Sequence, residues 1–158
     1  MEIAYLIDHA AHIPELARLH FEEWGYLRPG ESVEGRTARL RSCCGRNSIP
    51  TAVVALEGED LLGSALLVAQ DLESRPHLTP WLAGIFVKPQ HRGKGIGTRL
   101  IQRIEADARS LGTDVLYLYT STSQSLYERL GWSVMERCDY RGTEVVVMSK
   151  LRVTDPEV

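Results

Sequence analysis

A glycine-rich segment that joins a predicted strand to a predicted helix constrains the fold of this chain more than any other feature. Residues 81–87 form a short apolar run that ends before Pro89, as a buried strand does. Gly93, Gly95 and Gly97 follow at alternate positions, where they allow the backbone to turn tightly. Apolar side chains then recur on one face of a helix, at Leu100, Ile101, Ile104, Ala108 and Leu111. The chain is therefore expected to contain a strand–turn–helix unit, which is typical of domains that combine a sheet with helices.

The same turn has the chemistry of an anion-binding loop. A helix N-terminus offers unpaired N–H groups and partial positive charge, and both favour a phosphate group. Arg92 and Lys94 add mobile positive charge beside it. The dinucleotide fingerprint G-x-G-x-x-G does not fit, because Leu100 or Thr98 stands where its last glycine should be. Walker A fails as well, since Gly95 follows the lysine. The segment predicts a diphosphate site of another kind.

Apolar periodicity over the rest of the chain predicts a mixed fold of the α/β (α+β) class. Strands are predicted at 2–7, 51–56, 61–69, 81–87, 115–119, 132–138 and 143–150. Helices are predicted over about 13–24, about 32–44, from the glycine turn to Gly112, and over 121–130. Because an antiparallel hairpin is combined with a strand–helix–strand unit, we expect a mixed central sheet of about seven strands flanked by about four helices. The last residues, 152–158, are expected to be a flexible tail.

Composition excludes several classes of function. The 158 residues suit one domain, and the net charge of −3 argues against a protein that coats nucleic acid. No apolar run reaches the ~18–20 residues of a membrane helix. No signal peptide is readable at the N-terminus. We therefore expect a cytoplasmic protein without nucleic-acid or membrane partners, and we leave open whether it forms a homodimer.

Metal-binding and disulfide patterns are weak. Cys43, Cys44 and Cys138 are odd in number and form no C-x-x-C pair, which argues against a disulfide framework or a thiolate zinc site. Two pairs at helical spacing, His9 with His12 and His20 with Glu23, lack an evident third ligand. We predict no metal.

Two motifs resemble those of the GNAT superfamily of N-acetyltransferases. The first is R-x-x-G-x-G over residues 92–97, which is similar to the superfamily's loop for the pyrophosphate of acetyl-CoA. The second is LYERLGW over residues 126–132, which looks like the short helix of its second cofactor motif, ending in Tyr-Glu-x-Leu-Gly-aromatic. The strict motifs span about 80–132, and the order of elements agrees over residues 2–150. The resemblance implies a single GNAT-like domain over 1–158 with acetyl-CoA as co-substrate.

The resemblance also implies which residues contact the cofactor. Strand 81–87 should splay from strand 115–119, so that the pantetheine arm lies in the gap. Tyr127 would lie near the sulfur and protonate the leaving thiolate, although a buried core aromatic is the plain alternative. The family often has Asn where this chain has Thr120, which cannot copy both functions of an amide. The cofactor residues implied are Phe86, Val87, Arg92, Gly93, Lys94, Gly95, Ile96, Gly97, Thr98 and Thr120.

The acceptor in such a reaction is a primary amine that attacks the acetyl group directly in a ternary complex. Acidic residues occur where the family builds its acceptor site, and we take Glu23 and Asp71 as the catalytic candidates beside Tyr127. Glu22, Glu73 and His77 are alternatives, as is a water chain without a direct base. The acidic residues favour a cationic acceptor, either a small molecule or a peptide N-terminus or lysine.

Two other functions are compatible with the sequence. A catalytically silent acyl-CoA-binding module with a regulatory role would keep the same loop but release no thiol with any amine. A nucleotide-phosphate binder would use the loop without recognising the pantetheine arm.

Overall fold

The computed structural model describes residues 1–151, and the tail predicted at 152–158 lies outside the described residues. The described part contains seven strands and four α-helices, in the predicted order. The strands are β1 (Glu2–Tyr5), β2 (Thr51–Glu57), β3 (Asp60–Val68), β4 (Trp81–Val87), β5 (Val115–Thr120), β6 (Ser133–Tyr140) and β7 (Thr143–Leu151). The helices are α1 (Ile13–Trp24), α2 (Val33–Ser42), α3 (Ile96–Ser110) and α4 (Gln124–Arg129). This confirms the predicted mixed fold.

All seven strands join one sheet in the order β1-β2-β3-β4-β5-β7-β6. Neighbouring strands are antiparallel except β4 and β5, which are parallel and are connected through α3. A parallel pair requires such a crossover, because the chain must return to the same end of the sheet. The glycine-rich turn therefore lies at the carboxyl end of β4, where ligands bind in open α/β sheets.

The sheet is the middle layer of the molecule. Strand β2 is buried along nearly its whole length, since Ala52, Val54 and Leu56 face one apolar cluster while Val53 and Ala55 face another. The first cluster includes the apolar faces of α1 and α2, and the second includes those of α3 and α4. A strand buried on both faces has a continuous apolar sequence rather than an alternating one. Within the described residues, no helix is long and apolar enough to span a membrane.

Several element boundaries differ from the sequence prediction by one to three residues, and two of these differences have a clear physical cause. Strand β1 ends at Tyr5, because Leu6–His12 turns as a 3₁₀ segment that buries Leu6 before α1 begins. Helix α4 begins at Gln124 rather than at residue 121. The Thr120 hydroxyl accepts hydrogen bonds from the N–H groups of residues 122 and 123, at 3.3 and 3.0 Å, and this side-chain turn competes with helix at the preceding positions.

Candidate active site

The parallel strands β4 and β5 separate soon after they meet. Their backbones pair at Trp81 and Tyr117, next to a hydrogen bond from the Tyr117 N–H to the Pro80 carbonyl at 3.1 Å. Beyond this point the described residues of the two strands form no further pair, which confirms the predicted splay. A cavity occupies the opening, and its walls come from α1, α2, β4, β5 and α4.

The glycine-rich loop presents free amides at the start of α3. Gly95 precedes the helix with φ of +82°, a left-handed conformation that any Cβ disfavours. The first hydrogen bond of the helix runs from the Arg99 N–H to the Gly95 carbonyl at 3.2 Å. The N–H groups of Ile96, Gly97 and Thr98 consequently have no partner within the helix. This end of α3 is suited to a diphosphate, because the amides and the helix dipole act together.

The beginning of the loop is anchored to its surroundings. The Lys88 N–H donates to the Leu62 carbonyl at 2.9 Å, and its ammonium group forms an ion pair with Glu15 of α1 at 2.7 Å. Gly93 and Lys94, further along the loop, are exposed to solvent. The start of the loop is thus held in place by these contacts, while its outer edge is accessible to solvent.

Arg92 folds back over β4. Its Nε donates to the Val87 carbonyl at 2.7 Å, and its guanidinium carbon lies 5.7 Å from the centre of the Phe86 ring. Its Nη2 reaches the Glu23 carboxylate at 3.5 Å. Arg92 therefore connects the loop to α1, and it occupies the carbonyl of Val87, one of the residues whose backbone the resemblance implies for the pantetheine arm.

Tyr127 lies in the wall of the cavity on α4. It is 7% exposed, and its ring meets the Trp132 ring edge to face with 6.2 Å between centroids. Burial raises the pKa of Tyr127 to about 12. Within residues 1–151 its hydroxyl makes no hydrogen bond, so the proton that it carries at neutral pH is uncommitted.

Thr120 ends β5 at the rim of the same cavity. Because its oxygen already accepts the two backbone N–H groups at the start of the α4 turn, its remaining capacity toward a ligand is mainly that of an O–H donor.

A bulge in β4 faces the opening, and the sequence prediction did not include it. The register with β3 shifts between Ser64 and Leu66, and Gly84 there has φ of +59°. A Cβ on Gly84 would lie 2.6 Å from the Leu66 side chain. The Ser64 hydroxyl donates to the Gly84 carbonyl at 2.9 Å and lies 2.8 Å from His20 Nε2. A glycine inside an apolar strand was the signal in the sequence that could have revealed this bulge.

His20 is fully buried beneath the bulge. Because Ser64 gives its proton to the backbone, His20 donates through Nε2–H, and this leaves Nδ1 without a hydrogen-bond partner in the described residues. Burial, with the positive charges of Arg36 and Arg39, lowers the pKa of His20 to about 3. His20 is therefore a neutral hydrogen-bond donor that supports the bulge.

Of the acidic candidates, Glu23 and Asp71 line the cavity. Asp71 is already paired, since its carboxylate lies 2.8 Å from the Arg39 guanidinium and 3.6 Å from that of Arg28, and its side chain is only 10% exposed. Glu23 is more open to solvent and has Arg92 as its partner. Both carboxylates thus face arginines.

The other candidates lie outside the residues that line the cavity. Glu73 is exposed, and Arg141 at 2.7 Å and the Tyr140 hydroxyl at 3.3 Å contact its carboxylate. Glu22 and His77 are exposed. No group of three His, Cys, Asp or Glu side chains in the described part of the chain is arranged to hold a metal ion.

Several solved structures have the same fold. An aminoglycoside 6'-N-acetyltransferase complexed with coenzyme A matches with a TM-score of 0.77 and 19% identity, over 100% of this chain and 99% of that chain. The aminoglycoside 6'-N-acetyltransferase from Enterococcus faecium matches with a TM-score of 0.74 and 18% identity, over 100% of this chain and 99% of that chain. A ribosomal-protein-alanine N-acetyltransferase from Brucella melitensis matches with a TM-score of 0.73 and 18% identity, over 96% of this chain and 99% of that chain. At such low identity, these likenesses concern the fold.

Sequence comparison identifies the family. A comparison with curated proteins gave no match. The profile described as the acetyltransferase (GNAT) family matches residues 13–132, a range that includes the glycine-rich loop, the opening between β4 and β5, and Tyr127. Since the match spans most of the chain and the fold agrees with it, the chain belongs to the acetyltransferase (GNAT) family.

Proposed function

We propose that this protein is an acetyl-CoA-dependent N-acetyltransferase whose acceptor is a primary amine of a small molecule or peptide. The observation that carries the proposal is the opening between β4 and β5, which has a diphosphate-type loop at one end and a protonated tyrosine in its wall. A helix N-terminus alone would suit many anions. The combination suits an elongated molecule with a phosphate group at one end and a reacting atom at the other.

The residues that would hold the co-substrate fit its chemistry. The free amides of Ile96, Gly97 and Thr98, with Lys94 beside them, suit the diphosphate. The unpaired edge of β4 would accept and donate hydrogen bonds to the pantetheine arm, with the Thr120 hydroxyl as a further donor. Arg92 would give up its hydrogen bond to the Val87 carbonyl and contact the ligand instead. Acetyl-CoA supplies the acetyl thioester that is transferred.

We assign the role of general acid to Tyr127. In the reaction, a bond forms between the amine nitrogen and the acetyl carbon while the carbon–sulfur bond breaks, so the nitrogen loses a proton and the sulfur gains one. With its pKa raised to about 12, Tyr127 Oη keeps its proton at neutral pH. Against a thiol pKa of ~8.5, full transfer to a free thiolate is uphill by ~3.5 units, or ~5 kcal/mol. Donation must therefore accompany cleavage of the bond, when charge develops on sulfur.

An amine that arrives as an ammonium ion must lose one further proton before it can attack, and this proton needs its own acceptor. We propose that Glu23 receives it through water, because this carboxylate lines the cavity and is open to solvent. Asp71 stays a second candidate for this role. Its two arginines compete with any incoming ammonium group for the carboxylate oxygens.

The test is release of CoA thiol from acetyl-CoA with a panel of amines, amino acids, aminoglycosides and peptides, combined with calorimetry of CoA binding. We expect CoA to bind and at least one class of amine to accelerate thiol release. Binding of CoA without release for any amine would instead indicate the silent acyl-CoA-binding module. Equal competition by ADP, which lacks the pantetheine arm, would indicate a nucleotide-phosphate site.

A further inference from the structure

Three arginines face the cavity from the side of α1 and α2. Arg28 follows the turn after α1, and Arg36 and Arg39 lie one helical turn apart on α2, so all three contribute to the same wall. We call them the arginine cluster. The acidic residues of the sequence favour a cationic acceptor, whereas these three side chains favour an anionic group.

The carboxylates beside the arginine cluster do not fully neutralise it. Asp71 forms ion pairs with both Arg28 and Arg39. Arg36 forms its ion pair with Glu31, with 3.6 Å between Nε and the carboxylate, and its Nε makes no hydrogen bond in the described residues. The three guanidinium groups of the cluster thus share two carboxylates, while Glu23, which also lines the cavity, pairs with Arg92.

Arg36 is the member with unused binding capacity. It is 7% exposed, and burial, followed by the repulsion of Arg39, lowers its pKa below the ordinary value. A guanidinium that is buried without its hydrogen bonds costs free energy, unless an anion supplies them. Arg36 therefore has the surroundings of a side chain that completes its bonding with a ligand.

Aromatic side chains connect Arg36 to strand β4. Its guanidinium carbon lies 5.8 Å from the centre of the Trp24 ring. Trp24 in turn packs against Phe86 of β4, with 6.1 Å between ring centroids, and against His20 at 4.9 Å. Arg36 and the bulge at Gly84 belong to one cavity, so a small molecule can contact both.

We propose that the acceptor is a small primary amine that carries one carboxylate, such as an α-amino acid, and that Arg36 binds this carboxylate. The inference rests on the proposed function and specifies its substrate class. The arginine cluster as a whole has one positive charge more than its two carboxylates neutralise, which matches one carboxylate of a ligand. Within the cluster, Arg36 has the Nε without a hydrogen bond in the described residues, and a guanidinium can bind both carboxylate oxygens through two N–H groups. The amine of the same molecule would then point to the opening between β4 and β5.

The charge of the arginine cluster also bears on the reacting amine. A nearby positive charge lowers the pKa of an ammonium group, so the cluster favours the free amine that attacks. It opposes a polycation such as an aminoglycoside, which would bring several like charges into a partly buried site. An aminoglycoside, the substrate class in the names of two of the similar structures, is therefore disfavoured for this chain.

The first test compares each amino acid with its own carboxamide, which keeps the amine and side chain but has no negative charge. We expect kcat/KM for thiol release to be at least ~10-fold higher for the best amino acid than for its amide, as for a lost charged hydrogen bond. An amide or an aminoglycoside that reacts as well as the best amino acid would overturn the proposed specificity and leave the acetyltransferase proposal intact.

The second test replaces the arginine itself. Arg36→Met keeps most of the volume, and we expect KM for the amino acid to rise at least ~10-fold while KM for the amide and the Kd for CoA change less than threefold. Arg41→Met is the matched control, because Arg41 lies on the same helix and is exposed. An unchanged KM for the amino acid in Arg36→Met would contradict the assignment. If that variant does not fold, Arg36→Lys should show a smaller rise of the same kind.

A binding measurement separates the two proposals. Calorimetry with the CoA complex should detect the amino acid in the wild type and in Arg41→Met but not in Arg36→Met. This pattern supports the carboxylate site even if no amine is acetylated, in which case the proposed activity alone fails. No binding and no acetylation of any carboxylate-bearing amine by the wild type would overturn the inference.

Discussion

Tyr127 has one hydroxyl group that distinguishes a catalyst from a binding module. Tyr127→Phe removes the proton and keeps the ring packed against Trp132, and no hydrogen bond is lost within the described residues. If the tyrosine is the general acid, we expect the rate of acetyl transfer in a single turnover to fall by roughly 10²–10⁴-fold, with CoA affinity little changed. Tyr26→Phe is the control, because Tyr26 is exposed and lies outside the cavity lining. A chemical rate within threefold of wild type would exclude the acid role.

His20 makes the stability of the protein sensitive to pH. Its folded pKa of about 3 lies below the ordinary value of 6.5, so the unfolded chain binds more protons between these values. Stability contributed by this group is complete above about pH 6.5 and is lost as the pH falls toward 3, with a loss of ~2 kcal/mol by pH 5. Urea unfolding measures the free energy of unfolding at pH 7 and pH 5, and the difference between the two values should be smaller in His20→Gln than in the wild type. The exposed His77→Gln should behave as wild type, and an equal pH dependence in all three proteins would contradict the assignment.

At the scale of elements, the loop before α3 depends on a left-handed glycine. Gly95→Ala introduces a Cβ at φ of +82°, which costs ~1–2 kcal/mol or forces the loop to rearrange. We expect CoA affinity to fall more than tenfold, equivalent to ~1.4 kcal/mol. Gly58→Ala is a matched control, since Gly58 has φ of +61° in the β2–β3 turn and equally open surroundings. Calorimetry that gave the same CoA affinity for a folded Gly95→Ala protein would contradict the diphosphate site.

Element boundaries show where local sequence information suffices. The amphipathic pattern of α3 and the continuous apolar run of β4 predicted those elements closely, because each pattern is strong and has a glycine or proline near its end. The start of α4 was placed too early, since periodicity does not register the competing turn formed by the Thr120 hydroxyl.

For the whole molecule, ion pairs hold the segment between β3 and β4 against the rest of the fold. Asp71→Asn removes the carboxylate shared by Arg28 and Arg39, and we expect the free energy of unfolding to fall by ~1–3 kcal/mol, because two partly buried arginines lose their partner. Glu73→Gln serves as the control, since its pair with Arg141 is exposed and should contribute little. Chemical denaturation measures both, and equal losses would show that burial does not distinguish the two pairs.

The charged wall of the cavity could not be predicted from the chain order of its residues. Asp71 was predicted as a site residue from its position before the central strand, and it does line the cavity. Its pairing with Arg39, 32 positions away, depends on how α2 packs against the sheet. No pattern in the sequence indicated the arginine cluster, because arginines on a polar helix are ordinary surface residues unless the fold buries them.

The sequence by itself determined the elements, their order, the glycine-rich loop and the two motifs that resemble those of the GNAT family, since all of these depend on residues that are close together in the chain. Only the tertiary structure decided the bulge supported by His20 and Ser64, and the charge of the cavity between β4 and β5. These features arise from contacts between residues distant in sequence. Burial there changes the free energy of each polar or charged group according to the partners that the fold brings to it.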